Sequence, residues 1–272
     1  MNFDYNLNLN RDNEWYMQSH HFHENYEILL SLTDAGSCFA ESNLYPLKRG
    51  TLLVLKDTVL HRTIADNCKS YERYVLHFTR ETLYSISTNQ TNLLSQFSKS
   101  NRCIQLNEDQ LSSLISRFEK CRHSKSNAFG DDLKRDMVFV DILLEVWSLL
   151  EDNDPIDSSD NSDFKRVSPI LKHIENNLVE DLSLDSIAEN FYISKYHLCH
   201  IFKAATGFSV GQYIISNRIL KARSLLRDGC SVQAAGEQAG FHNNAHFIRT
   251  FGKLSNISPG RYRKEYQKGI RL

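Results

Sequence analysis

Two sets of residues in this chain have the types and spacing to do chemistry. The first is His21-Phe22-His23, followed by Glu27 and, further along, His61. Alternate residues of a strand point to one side, so His21 and His23 can present two imidazoles to a shared ligand, with His61 reaching in from another strand. That set admits a metal ion, a pocket for an organic ligand, or histidines that are merely structural. The second set lies in the C-terminal half. Ser194, Lys195, Tyr196, Cys199, His200 and Lys203 open or line the outer face of one short helical pattern, and Asn243, Asn244 and Arg249 that of another. An amide can pair with adenine and a guanidinium with guanine or phosphate, so an exposed Asn and Arg set suits a major groove. No nucleophile triad, phosphate-binding glycine loop or dinucleotide fingerprint accompanies them.

The elements that must carry these residues divide by charge. The chain has 272 residues and a net charge of −1. From Lys165 onward there are 16 Lys and Arg against 8 Asp and Glu, whereas residues 1–164 hold 16 against 25. A basic half joined to an acidic half predicts that one end meets a polyanion and the other does something else. Four prolines and eleven glycines exclude collagen-like or low-complexity material. No apolar run approaches a membrane span, and the polar, acidic start MNFDYNLNLNRDNEW is unlike a secretory signal. Six cysteines without a C-x-x-C pair read as reduced thiols, so a cytoplasmic protein is expected.

The segment EDNDPIDSSDNSD (151–163) is almost devoid of apolar residues and predicts a solvated acidic linker spanning 151–164. Before it, YEILLSL (26–32), TLLVL (51–55) and RYVLHFT (73–79) read as short strands separated by turns, which suggests an antiparallel sandwich or small barrel. A helix follows from about Asn107, and another from about Asp131 to Leu150. On the latter, Leu133, Met137, Val140, Leu144 and Trp147 recur at 4-3-4-3 spacing, while Phe139, Ile142 and Val146 make other faces apolar. One face can rest on the strands, and the other fits either a second subunit or the interior of the same domain.

After the linker the chain repeats itself. Residues 182–213 lie over residues 230–262, with Ser183 matching Ser231 and Glu189 matching Glu237 at an offset of 48. After one inserted residue, Phe202 matches Phe251, Ser209 matches Ser258 and Tyr213 matches Tyr262 at an offset of 49. Each copy reads as helix, tight turn, helix, with Leu198, Ile201, Phe202 and Ala205 marking the buried face of the first copy's second helix. Ser209 to Arg227 predicts a connecting helix roughly 28 Å long. Successive major-groove faces on one side of B-DNA lie about 34–36 Å apart, so such a connector could set two readers on one face of a duplex.

With these residues in place, the sequence resembles the AraC/XylS family of bacterial transcription regulators. SKYHLCHIFKAATGFSVGQYI is similar to that family's first helix-turn-helix and the start of its connecting helix. The turn Gly240-Phe241, the Phe247, Arg249, Phe251 core and the Ser258, Pro259, Tyr262, Arg263 ending resemble its C-terminal signature, and the likeness runs from Val167 onward. More faintly, HFHENYEILLSLTDAG, LKRGTLLVLKDTVLHR and YERYVLHFTRETL resemble its cupin-like sensor domain. Two departures stand out. His200 occupies a place where arginine is common, and Ala234-Ala235-Gly236 replaces a bulkier pattern, which leaves a smaller core and a glycine costing about 1 kcal/mol in a helix.

The resemblance implies a two-domain α+β protein: a cupin-like antiparallel β-barrel with trailing helices (1–150), the acidic linker, and an all-α domain of two helix-turn-helix units (165–272). Tyr196, Cys199 and His200 would face one major groove, Asn244 and Arg249 the next, with Lys195 and Lys203 helping at phosphates. His21, His23, Glu27 and His61 would flank a small-molecule effector, and Leu133, Met137, Val140, Leu144 and Trp147 would form a homodimer stripe. The expected partners are double-stranded promoter half-sites, with RNA polymerase and an effector as further candidates, and activation is the family's commoner sign. No enzyme activity, metal, cofactor or membrane association is expected. The alternative is a cupin metalloenzyme of dioxygenase or isomerase type fused to a DNA-binding tail, against which DTVLHR lacks the Pro-x-Gly turn that usually presents a third histidine.

Overall fold

The computed structural model describes residues 3–13, 25–65, 70–99, 101–123, 128–156 and 162–269. The chain separates into two compact units, residues 1–159 and 160–272.

The first unit runs β1 (Tyr5–Asn13), β2 (Tyr26–Ser31), β3 (Gly36–Ala40), β4 (Asn43–Leu47), β5 (Thr51–Leu55), β6 (His61–Ala65) and β7 (Ser70–Phe78), then α1 (Arg80–Ile86), α2 (Leu93–Phe97), β8 (Arg102–Gln105), α3 (Glu108–His123) and α4 (Asp131–Asp152). The strands form a five-stranded sheet in the order β1-β7-β2-β5-β8 and a three-stranded sheet in the order β4-β3-β6, with antiparallel ladders throughout. The expected barrel is therefore not closed. Among the described residues no ladder joins the two sheets: the larger ends in β1 and β8 and the smaller in β4 and β6.

Both faces of the larger sheet are covered, which explains why β2 and β5 read as unbroken apolar runs rather than as alternations. Tyr26, Ile28, Leu30, Leu52, Val54, Tyr74, Leu76 and Phe78 face a core shared with Leu114 and Phe118 of α3 and Phe139, Ile142 and Val146 of α4. On the opposite side Leu29, Leu53, Leu55 and Tyr71 meet Cys38, Ala40, Tyr45 and Leu47 of the smaller sheet. Strand β1 was not anticipated. Its Tyr5, Leu7 and Leu9 pack on the helix-side core, and the Tyr5 ring stacks on Phe139 at 4.0 Å. The alternation with Asn6, Asn8 and Asn10 is a period-two signal hidden by the polar composition.

The acidic segment is less detached than its composition suggested. Helix α4 continues to Asp152, and Ile156, the segment's aliphatic residue, donates its N–H to Cys103 O at 2.7 Å and packs its side chain on the inter-sheet cluster.

The second unit is helical: α5 (Ser162–Asn176), α6 (Leu184–Asn190), α7 (Lys195–Thr206), α8 (Val210–Arg227), α9 (Val232–Gln238), α10 (Asn244–Ser255) and α11 (Pro259–Gly269). Ser183, Ser194, Ser209, Ser231 and Asn243 each cap a helix by accepting from a backbone N–H three residues on. The buried stripe of α7 is Leu198, Ile201, Phe202 and Ala205. Leu184, the first residue of α6, is 39% exposed, whereas Ile187 and Ala188 are buried.

Candidate nucleic-acid interface

The two helix-turn-helix copies superpose in their hydrogen bonds as well as in their letters. In the first turn Ile193 N–H donates to Ala188 O at 3.0 Å, and in the second Phe241 N–H donates to Gly236 O at 2.9 Å. Tyr192 and Gly240 occupy the same left-handed position, with φ of 54° and 94°. Gly240 also sits where a side chain cannot: an added Cβ would lie 2.1 Å from Leu178 O. Arg218 of α8 donates to that same carbonyl at 2.8 Å and to Glu180 O at 2.9 Å, and its burial lowers its pKa from the ordinary arginine value. The second turn is thereby seated on the loop that precedes α6, which sets one copy against the other.

The departure at Gly236 has a packing reason. A Cβ there would fall 2.7 Å from the Phe247 ring, which is fully buried. In the first copy the matching positions are Ala188 and Leu198, both buried. The second copy has exchanged Ala and Leu for Gly and Phe, so a smaller residue on one helix admits a larger one on the next. Phe241, Phe247, Phe251 and Tyr262 then follow one another with ring centroids 5.2, 5.7 and 5.5 Å apart. The reduced core anticipated from Ala235 and Gly236 is filled by aromatic rings.

The predicted reading residues gather on two exposed helix faces. On α7, Tyr196, Cys199, His200 and Lys203 are all exposed and fall at i, i+3, i+4 and i+7, with Tyr196 and His200 in parallel planes one turn apart. Lys195 is paired at 2.9 Å with Asp185 of α6, and this hydrogen bond raises its pKa. Ser194 and Asn243 are at the helix starts, but their side-chain oxygens already accept the N–H groups of His197 and His246, at 3.2 and 2.8 Å. On α10, Asn244 and Arg249 are exposed. Ala245 and Gly252, neither of them expected in the interface, are placed by the offset of 49 in register with Tyr196 and Lys203.

In the first unit, Glu27 and His61 do meet. Glu27 lies opposite His77 in the β2–β7 ladder, and His77 Nε2 is 3.0 Å from its Oε2. His61, from the other sheet, places Nε2 3.5 Å from the same oxygen while its Nδ1 donates to Val59 O at 3.0 Å. Glu27 and His61 are both buried. His77 was not among the expected site residues, although it lies in the strand expected over 73–79. Burial pushes the nearby thiols up, Cys103 to about 12, and the Glu27 charge acts in the same direction on Cys38. His21 and His23 lie outside the described residues. Among the described residues no three His, Cys, Asp or Glu side chains are arranged to hold a metal ion.

Helix α4 turns Phe139, Ile142, Leu143 and Val146 inward. Leu133, Met137 and Leu144 are exposed, and with Phe3 and Val140 they line an open apolar groove of about 320 Å³. Trp147 leaves the predicted stripe: its ring packs against Phe97 at 6.2 Å, with the Arg102 guanidinium 5.7 Å away.

The domain described as "AraC-like ligand binding domain" matches residues 8–160, and a helix-turn-helix domain matches residues 187–265. The chain belongs to the AraC/XylS family. It is 34% identical over 110 residues to the multiple antibiotic resistance protein MarA of Escherichia coli, covering 40% of this chain and 87% of MarA. It is 25% identical over 257 residues to the HTH-type transcriptional regulator YfiF of Bacillus subtilis, covering 91% of this chain and 79% of that protein. Among solved structures, ToxT from Vibrio cholerae aligns over 95% of this chain and 96% of its own with 15% identity and a TM-score of 0.37. This member of the AraC/XylS family is accordingly a DNA-binding transcription regulator with a β-rich N-terminal domain and a helical C-terminal one. No helix among the described residues is long and apolar enough to cross a membrane.

Proposed function

We propose that this regulator reads two adjacent major-groove faces of promoter DNA with the exposed stripes of α7 and α10. The observation that carries the reading is the pair of helix-turn-helix copies with matching turn hydrogen bonds, in a half of the chain holding 16 cations against 8 anions. In this reading Tyr196, Cys199 and His200 face bases in one groove and Asn244 and Arg249 in the next. Lys195, Lys203 and the first-turn amides at Ser194 and Asn243 meet phosphates. The part of the first unit around Glu27, His61 and His77, with His21 and His23 nearby in sequence, takes a small organic effector whose binding shifts the population toward a DNA-competent state. A second copy of the chain covers Leu133, Met137, Val140 and Leu144. The protein works in the cytoplasm as an activator in contact with RNA polymerase, and it is not an enzyme.

The test is a genome-wide pull-down with the purified full chain, followed by salt titration on an enriched fragment. Neutralising six or more phosphates predicts an affinity loss of about a thousand-fold between 50 and 200 mM salt. Absence of any enriched sequence, or affinity indifferent to salt, would overturn the reading.

A further inference from the structure

Helix α10 carries an outward stripe unlike that of α7. Where α7 shows Tyr196, Cys199, His200 and Lys203, the matching positions of α10 are Ala245, Ile248, Arg249 and Gly252. Ile248 is 40% exposed, the one large apolar side chain on this face, one turn from Ala245 and one turn from Gly252. Gly252 stands in the interior of the helix (Asn244–Ser255), where glycine costs about 1 kcal/mol relative to alanine. No packing excuses it, because an added Cβ would meet nothing within 4 Å. Small residues on either side of one exposed isoleucine describe a helix face shaped for close approach to another surface.

We propose that Ile248 is a specificity-determining residue that reads a thymine methyl group, with Ala245 and Gly252 letting α10 sit deep enough to reach it. The inference rests on the reading of α10 as a groove-entering helix. In the major groove the C5 methyl of thymine is the apolar feature a base edge offers, and an aliphatic side chain is its natural partner. Arg249, the neighbouring exposed cation, suits guanine O6 and N7, so the second box should contain a guanine with a thymine nearby. Charge argues against a protein as the occupant: Arg249, Lys253 and the basic composition of the half-chain surround the isoleucine with a field suited to nucleic acid.

The experiment uses the full chain and a site enriched from random DNA, with each thymine replaced singly by deoxyuridine, which lacks only the methyl. Wild-type protein should lose about four-fold in affinity at one or two thymines of the box read with Arg249, the value of one buried methyl group. Ile248→Ala should bind the thymine and deoxyuridine forms equally at those positions and keep the wild-type response at every other thymine. Gly252→Ala should melt at a higher temperature and yet bind all sequences more weakly. Indifference of the wild type to deoxyuridine throughout that box, or undiminished discrimination by Ile248→Ala, would overturn the assignment, as would an Ile248→Ala protein that binds DNA normally and fails only in transcription. Unchanged affinity in a stabilised Gly252→Ala would remove the close approach. Arg249→Ala separates the two levels: if it relaxes a guanine while Ile248→Ala changes nothing, only this inference falls, and if neither alters any base preference, α10 is not a reader.

Discussion

The exchange of Ala188 and Leu198 for Gly236 and Phe247 between the two copies can be tested by reversing it. Gly236→Ala places a Cβ 2.7 Å from the Phe247 ring, well inside contact distance. Overpacking of this kind costs about 1–3 kcal/mol, offset by about 1 kcal/mol from the better helix propensity of alanine, so a net loss of about 1 kcal/mol is expected. Phe247→Leu in the intact second copy removes part of a fully buried ring and leaves space beside Gly236, at about 1–2 kcal/mol. The double variant recreates the pair used by the first copy and should lie within about 0.5 kcal/mol of wild type, a coupling of about 2 kcal/mol and typical of residues in contact. Both tryptophans, Trp15 and Trp147, belong to the first unit. Thermal melting followed by tryptophan fluorescence therefore reports that unit, and far-UV ellipticity weights the helical second one. Each single substitution should lower the ellipticity midpoint by about 4 °C or more and leave the fluorescence transition in place. A double variant as unstable as the sum of the singles would refute the exchange.

Three further outcomes follow from the geometry. Met137→Glu or Leu144→Glu places a charge in the exposed apolar groove of α4 and should give monomers by sedimentation with an unshifted melting temperature; unchanged mass would return that groove to a private role. Gly240→Ala combines a left-handed φ with a clash against Leu178 O and should cost more than about 3 kcal/mol in chemical unfolding of the second unit, and a loss below about 1 kcal/mol would show that the turn is not seated as described. Cys199 should react with a thiol reagent at pH 8 in the folded protein and be protected by bound DNA, while Cys38 and Cys103, buried and with their thiols pushed up, should react only on unfolding; equal labelling of Cys199 with and without DNA would remove it from the interface.

What the sequence disclosed and what it hid follow from where the deciding interactions lie. The helix-turn-helix copies were legible because their caps, turns and buried stripes are local, and the offset supplied each copy with a template. The outward direction of α4 was only half legible, since apolar residues on several faces leave the inward side undetermined until Phe139, Ile142 and Val146 are seen against the sheet. Trp147 illustrates this: a heptad position assigns it to the stripe, yet Phe97 and Arg102, distant in sequence, draw it inward. The partnership of Glu27 with His77 depends on strand register, which no spacing within β2 reveals. Strand β1 was concealed because asparagine, a poor strand former, occupies its alternate positions, and pairing along the whole of β7 overrides that preference. The Gly236 departure read as a weakness until the ring that fills it was known.

In the proposed mode of binding, one chain reads two neighbouring groove faces through a connector of fixed length. Hydroxyl-radical footprinting of the full chain on an enriched site tests it most directly. Two protected blocks are expected on one face of the duplex, about one helical turn apart, with loss of one block when five base pairs are inserted between them. A single protected block, or two blocks that tolerate the insertion without loss of affinity, would contradict it.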